Sequence, residues 1–184
     1  MKSKPGTYVA LFMLLLAAIA TGANLWYQRH RSARPLALWG VEPARLIGLA
    51  PQVEVLRLAP VDAASESPNA VIAHSRERLQ IVETKDASEA RGLKNIRQGL
   101  LDGRSFDWNA SRGDCDPQWE YALRFSDGES SAAVLFALNC RRVALAGAGA
   151  EASVGPTLAA YEGFLREQFP GLKTEIDRSL SRDP

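Results

Sequence analysis

Two cysteines, two histidines and a small group of carboxylates are the side chains of this sequence that could carry chemistry. Cys115 and Cys140 are 25 positions apart, with no C-x-x-C pair and no histidine close to either in the sequence. This spacing does not match a thiolate zinc site. The two thiols could instead form a disulfide, or they could pack as small buried side chains.

Acid/base catalysis is a second chemistry to consider. Asp114, Asp116 and Glu120 lie close together in the sequence, and a hydrolase could use such a carboxylate as a general base. His74 is the single histidine beyond the N-terminal region, and we interpret it as an exposed loop residue. No serine stands in a G-x-S-x-G context. The sequence therefore predicts no catalytic residue, and a hydrolase using the acidic cluster near Asp114 remains an alternative.

A short polar loop resembles the start of a calcium-binding loop. Asp107, Asn109 and Ser111 alternate as the first calcium ligands do. Arg112, however, stands where glycine is required, and Gln118 stands where a bidentate glutamate is required. We expect a turn whose polar side chains bond their own backbone, with no metal and no cofactor.

The two cysteines flank a predicted β-hairpin. An alternating apolar pattern runs from Tyr121 to Phe125, and a second apolar run covers Ala132–Leu138. Between them, Asp127-Gly128 favours a two-residue type I′ turn. Both central residues of such a turn need a positive φ, and Asp-Gly is one of the residue pairs preferred there for that reason. Pairing outward from that turn places Cys115 opposite Cys140, so the sequence predicts a buried disulfide at the base of the hairpin.

One face of this hairpin is polar. It carries Gln118, Glu120, Arg124 and Asn139, with Leu135 as an apolar exception. We expect this face to be open to solvent and identify its four polar residues as a possible binding face. A redox module using Cys115 and Cys140 is a further alternative, but it needs an exposed, strained disulfide.

The N-terminal region predicts a membrane segment. Thr7–Tyr27 contains no charged residue, and lysines precede it while arginines follow it. A helix of this length can cross the hydrocarbon core of a bilayer, which is about 30 Å thick. We expect a signal-anchor. The alternative is a secretory signal peptide cleaved near Ala20, after Ala18-Ile19-Ala20. Both place the C-terminal domain outside the cytoplasm, in a periplasmic or extracellular compartment where a disulfide persists.

The rest of the pattern predicts an α+β domain, in which a small antiparallel sheet has two helices packed on one face. The first helix is expected to begin at Asp86 with a capping box and to stop at Gly103. The second is expected at Pro156–Phe169. The segments predicted along the chain are 1–28 (signal-anchor or signal peptide), 29–51 (juxtamembrane tether), 52–172 (α+β domain) and 173–184 (polar tail).

Charge narrows the choice of partner. The chain has 22 basic and 21 acidic residues, and five of the basic ones precede Pro35. From Pro35 onward the chain has 17 basic and 21 acidic residues, so this part is mildly acidic. An acidic domain argues against nucleic acid as a partner. We expect a membrane-tethered or exported envelope domain. It would act as a non-enzymatic binding module for an envelope protein or another envelope component, with the membrane contacted through the N-terminal helix.

Overall fold

The fold is taken from a computed structural model, which describes residues 5–61, 71–74, 77–110 and 115–169. The helices within these residues are α1 (Pro5–Trp39), α2 (Val41–Leu49), α3 (Leu93–Leu101) and α4 (Leu158–Gln168). A short 3₁₀ turn covers Gly103–Ser105. The strands are β1 (Gln52–Pro60), β2 (Val71–His74), β3 (Glu77–Asp86), β4 (Phe106–Asp107), β5 (Tyr121–Ser126), β6 (Ser131–Ala137), β7 (Arg142–Leu145) and β8 (Glu151–Val154).

All eight strands join one antiparallel sheet in the order β2-β3-β1-β5-β6-β7-β8-β4. The predicted α+β class is confirmed. The expectation of a small sheet is wrong, because the weakly patterned stretch Gly147–Gly155 contains a strand, β8. Glu151–Val154 alternates half-buried and buried positions along β8. The buried residues Ala152 and Val154 are small, so the alternation gives only a weak hydrophobic pattern in the sequence.

The main core lies between one face of the sheet and the helices. Val55, Leu123 and Val134 occupy neighbouring strands of this face and are fully buried. Helix α3 presents Leu93, Ile96 and Leu100, and α4 presents Tyr161, Phe164 and Leu165. Both sets follow the helical three-to-four residue spacing. Helices α3 and α4 are the two predicted from the sequence, and both add their apolar stripes to this core.

A third helix, α2, also belongs to this core. Its buried residues are Ala44, Leu46 and Ile47. At its end, the Arg97 guanidinium donates to the carbonyl of Ile47 at 3.2 Å and to that of Ala50 at 2.6 Å. These bonds satisfy carbonyl groups that a helix end leaves without intrahelical partners. The core thus includes residues upstream of position 52, the predicted start of the domain.

Helix α3 begins later than the capping box predicts. Asp86 is the last residue of β3, and its carboxylate accepts hydrogen bonds from the backbone N–H and the hydroxyl of Ser88. The residue before α3 is instead Gly92, whose φ of 92° is left-handed. The local Asp–Ser turn therefore competes successfully with a helix start at Asp86.

The β5–β6 hairpin exists, but its predicted register is wrong by two residues. Tyr121 pairs with Phe136, whereas the register that sets Cys115 opposite Cys140 would set Tyr121 opposite Val134. The turn is centred one residue later than predicted, because the backbone N–H of Asp127 bonds the carbonyl of Ser130 at 3.2 Å and leaves Gly128 and Glu129 between them. An even shift leaves every side chain on its predicted face, since strand side chains alternate with a period of two.

The second face of the sheet has a core of its own, so the expectation that it is open to solvent is wrong. Leu56, Ala122, Leu135 and Ala144 lie in one row across β1, β5, β6 and β7, and each is fully buried. They cluster with Leu58, Leu79, Trp119 and Ala137. Leu135 therefore lies in this second core and is not an isolated exception on a polar face.

The curl of the sheet buries this second face. Strand β2 is far from β8 in the strand order, yet the Gly147 backbone N–H, in the β7–β8 connection, bonds the Ala73 carbonyl at 2.9 Å. The side chains of His74 and Glu151 also approach within 3.5 Å. Ile72 of edge strand β2 thereby packs against the cluster that contains Leu135.

The N-terminal helix α1 differs from the others in its exposure. Its large apolar side chains from Tyr8 to Tyr27 are between 45% and 70% exposed. Trp39, at the other end of the same helix, is only 2% exposed and lies in the main core. No helix among the described residues is both long enough and apolar enough to cross a membrane. The transmembrane span expected from the sequence is thus not found.

Candidate functional site

The disulfide predicted from the sequence is confirmed. Cys115 and Cys140 are bonded, with their Cα atoms 5.8 Å apart. They do not form a ladder pair, because the β5–β6 pairing ends at Tyr121 and Phe136. Cys115 lies in an irregular segment before β5, and Cys140 lies in the turn after β6. The bond therefore joins a loop to a turn at the base of the hairpin.

The expectation that the disulfide is buried is wrong. Cys115 is exposed and Cys140 is half-buried. The reason is that the chain leaves the sheet at both cysteines, where no strand among the described residues pairs with them. The sulfur pair therefore lies at the protein surface, where a thiol reagent or a reductant can approach it.

Asn139 fixes the loop that contains Cys115. Its side-chain oxygen accepts from the Gln118 backbone N–H at 3.1 Å, and its side-chain nitrogen donates to the Asp116 carbonyl at 2.9 Å. The Asn139 amide thus bonds backbone groups on both sides of Pro117, as a neighbouring strand would. Asn139 has a structural role here, whatever else it contacts.

The four predicted binding-face residues do not form a continuous polar surface. Arg124 is paired with Glu54 of the neighbouring strand β1, with its Nε 2.6 Å from the carboxylate. Between Glu120 and Arg124 lies Ala122, which is fully buried in the second core. Gln118 and Glu120 remain exposed beside the disulfide loop. Asn139 is exposed as well, but its amide is already bonded to the loop backbone, so Gln118 and Glu120 are the two exposed side chains of the face that are left for a partner.

The acidic cluster is described only in part. Asp114 lies outside the described residues, while Asp116 and Glu120 are exposed. Within the described ranges, no group of three or more histidine, cysteine or carboxylate side chains could hold a metal ion. The carboxylate of Asp107 accepts from the backbone N–H of Asn109 at 3.1 Å. This local turn is the one expected for the calcium-like sequence, whose Ser111 is not described.

His74 is buried, so its interpretation as an exposed loop residue is wrong. It is the last residue of β2, and its side chain is 1% exposed. Its ring meets that of Trp119 edge-on, with the ring centroids 5.0 Å apart. Both ring nitrogens lack a hydrogen bond to a described residue. The curl of the sheet buries His74, because it brings β2 against β8 and the connection between β7 and β8.

The carboxylate nearest to His74 comes from an unexpected part of the chain. His74 Nε2 lies 3.5 Å from an oxygen of Glu151 in β8. The other oxygen of Glu151 accepts from Arg142 in β7 at 3.2 Å, and both of these side chains are mostly buried. His74, Glu151 and Arg142 thus form one buried polar group. In the sequence, this buried group could have been recognised only from Arg142 and Glu151, two charged residues in a weakly patterned stretch.

This polar group joins side chains of β2, β7 and β8 and does not resemble a hydrolytic site. The Glu151 carboxylate is already paired with Arg142, and Trp119 covers the histidine ring. Among the described residues, the histidine is therefore associated with Glu151 and not with the acidic cluster near Asp114. Comparison with known proteins finds no matching family model, no similar curated protein and no similar solved structure.

Proposed function

We propose that this protein is a membrane-attached domain of the cell envelope that binds a protein or another envelope component without catalysing a reaction. The apolar part of α1 provides the attachment, and the disulfide-containing domain lies outside the cytoplasm. The observation that carries the proposal is the contrast within α1, whose apolar side chains are exposed from Tyr8 to Tyr27 while Trp39 is buried.

Lipid is the environment that suits the exposed segment best. Leu11–Leu16 are six consecutive apolar residues, and all are exposed. Six residues cover more than one full helical turn, so apolar side chains point in every direction around the axis. A groove on a partner would cover only one side of such a helix, whereas acyl chains can surround it.

The disulfide supports an extracytoplasmic location for the domain. Such bonds persist in oxidising compartments and are uncommon in the cytosol. Cys115 is exposed, so glutathione and thioredoxin systems would have direct access to the bond in the cytosol. An oxidised pair isolated from cells is therefore expected only if the domain has been exported.

Attachment and export can be tested together on the full chain. Membranes are washed with high salt and alkaline carbonate, and intact cells or spheroplasts are treated with an impermeant maleimide before and after an impermeant reductant. We expect the chain to stay with the membranes and to be labelled only after reduction. A variant with Leu11, Leu14, Leu15 and Ile19 changed to glutamine should be released. Release of the wild-type chain, or free labelling before reduction, would contradict the proposal.

The surface proposed to bind a partner is the exposed part of the predicted binding face. Gln118 and Glu120 are exposed, and the disulfide and Asn139 hold their segment in place. A preformed loop loses little conformational freedom on binding. Gln118→Ala combined with Glu120→Ala should weaken crosslinking to a partner without changing stability. Glu89→Ala combined with Lys94→Ala, two exposed positions near and in α3, is the matched control.

A thiol-disulfide redox module is a second candidate, because the disulfide is at the surface. Redox-active disulfides have reduction potentials between about −270 and −120 mV, whereas structural ones lie below about −300 mV. Equilibration of the full chain with glutathione buffers, followed by alkylation and mass measurement, gives the potential of the Cys115–Cys140 pair. A value in the upper range would favour the redox function over simple binding.

A further inference from the structure

The loop after α3 lies against α1 beside the exposed apolar segment. The 3₁₀ turn Gly103–Ser105 contacts α1, and the ring of Phe106 packs edge-on against Trp39 with the centroids 6.1 Å apart. Trp108 follows two residues later, and the guanidinium of Arg34 in α1 lies over its ring, 5.9 Å from the centroid. This loop therefore runs beside the helix between the buried Trp39 and the apolar segment.

A second arginine brings the loop near the end of that apolar segment. The pKa of Arg104 is raised, mainly by its hydrogen bond and charge interaction with Asp102 and also by the nearby phenol of Tyr27. Tyr27 is the last residue of Thr7–Tyr27, the segment predicted to enter the membrane. Tyr27 and Arg34 lie seven positions apart in α1, which places them on the same face of the helix. Arg104 and Arg34 thus both stand beside this face.

The distances suit the headgroup layer of a bilayer. Arg34 lies about 10 Å beyond Tyr27 along the axis, at about 1.5 Å per helical residue. The headgroup region adds about 5 to 7 Å on each side of the hydrocarbon core, and long arginine side chains can extend towards it. If the hydrocarbon ends near Tyr27, both guanidinium groups can therefore reach lipid phosphates.

The side chains themselves suit a contact with lipid. The side chain of Arg104 is 67% exposed, and its bonds to Asp102 use Nε and one terminal nitrogen. Trp108 is half-buried and donates its indole N–H to the Gly103 carbonyl at 2.7 Å, which fixes the loop. Tryptophan and arginine are favoured at the membrane interface, and basic residues there are attracted to anionic lipids.

We propose that Arg34, Arg104 and Trp108 form a collar that binds the headgroups of anionic phospholipids where α1 leaves the membrane. This inference rests on the proposed membrane attachment and adds a lipid class and a binding surface to it. Arg29 and Arg31 fall within the same stretch of the sequence and add to its positive charge. Asp102 faces Arg104 and offsets part of that charge, so the collar needs both arginines.

Brominated lipids can test the collar, because they quench nearby tryptophan fluorescence. The full chain is reconstituted into vesicles of phosphatidylcholine and phosphatidylglycerol in which either lipid is brominated, at equal mole fractions. The difference between wild type and Trp108→Phe reports on Trp108, and the difference between wild type and Trp26→Phe reports on the attachment segment. Urea midpoints and an intact disulfide confirm that each variant is folded.

We expect the brominated anionic lipid to quench Trp108 about twofold more than the brominated zwitterionic lipid. Arg34→Gln combined with Arg104→Gln should remove this preference, as should salt near 1 M, where the screening length is about 3 Å. Arg91→Gln, an exposed position before α3, should preserve it. Equal or absent quenching of Trp108 while Trp26 is quenched would overturn the collar but not the attachment. Absence of quenching at both positions would overturn both.

Discussion

Trp39 in α1 donates its indole N–H to the backbone carbonyl of Leu100 in α3, at a distance of 2.7 Å. The two residues are 61 positions apart, and both are buried in the main core. This bond joins the N-terminal helix to the last turn of a core helix, where carbonyls lack intrahelical partners. The direction in which α1 leaves the domain is therefore fixed by packing and is not left to a loose tether.

Replacing Trp39 should weaken the whole domain. Trp39→Phe removes the hydrogen bond and leaves the buried Leu100 carbonyl without that donor, at a cost of about 1 to 3 kcal/mol. Trp39→Ala adds a cavity and should cost about 3 to 5 kcal/mol. Urea unfolding of the detergent-solubilised full chain measures both changes. Trp26→Phe, at an exposed position, is the control, and an equal loss there would contradict the structural role of Trp39.

Gly99 in α3 should resist replacement by alanine, although alanine favours helices. A Cβ atom at Gly99 would lie 2.6 Å from the phenol oxygen of Tyr161 and 3.3 Å from two of its ring carbons. The resulting overpacking should cost about 1 to 3 kcal/mol and outweigh a gain of up to about 1 kcal/mol in helix propensity. Thermal or urea unfolding of Gly99→Ala measures the net effect.

A second substitution isolates the cause of that loss. The Tyr161 hydroxyl is buried and has no hydrogen-bond partner among the described residues. Tyr161→Phe removes the closest contact, so the double variant Gly99→Ala/Tyr161→Phe should regain most of the lost stability. At Gly163 in α4, an added Cβ atom would have no neighbouring atom within 4 Å, so Gly163→Ala should be neutral or stabilising. Additive losses in the double variant would refute the steric explanation.

Leu135 should behave as a core residue and not as part of a binding face. It is fully buried beside Leu56, Ala122 and Ala144, so Leu135→Ala should cost about 2 to 5 kcal/mol. Val82→Ala provides a control on β3, where the side chain is 56% exposed. That change should stay within about 0.5 kcal/mol. Unchanged stability of Leu135→Ala in urea unfolding would mean that the second face is open after all.

The hairpin connection should become less stable in acid. Hydrogen bonds from the Ser130 backbone N–H and from Arg45 lower the pKa of Asp127 below its usual value of 3.8. A lowered folded-state pKa stabilises the fold above the unfolded-state value, and this contribution is lost as the pH falls through the folded-state pKa. Carbon-13 NMR of the carboxyl group should show a midpoint below 3.8.

Two variants test this pH dependence. Asp127→Asn should lower the melting temperature at neutral pH, and its difference from wild type should shrink as the pH falls below about 4. Arg45→Gln removes the partner at 2.7 Å and should raise the Asp127 midpoint part of the way towards its usual value. A wild-type midpoint at or above that value would contradict the proposed network.

The local patterns of the chain were sufficient for much of the fold. Alternation predicted β5, an apolar run predicted β6, and helical spacing predicted α3 and α4, because these patterns report which side of an element is apolar. The disulfide was predicted through an incorrect register. The error was harmless to the face assignment because a two-residue shift preserves the alternation of a strand. Asp127 shifted the register, since its carboxylate bonds the backbone of its own turn.

The sequence by itself determined the α+β class, the cysteine pair and the exposed apolar segment, because these depend on composition and on periodicity along one element. Tertiary structure alone decided that Leu135 is buried, that His74 meets Glu151, and that Trp39 joins α1 to the core. Each of these contacts links residues far apart in the chain. They depend on how strongly the sheet curls and on where the helices cross it, which no short stretch of sequence encodes.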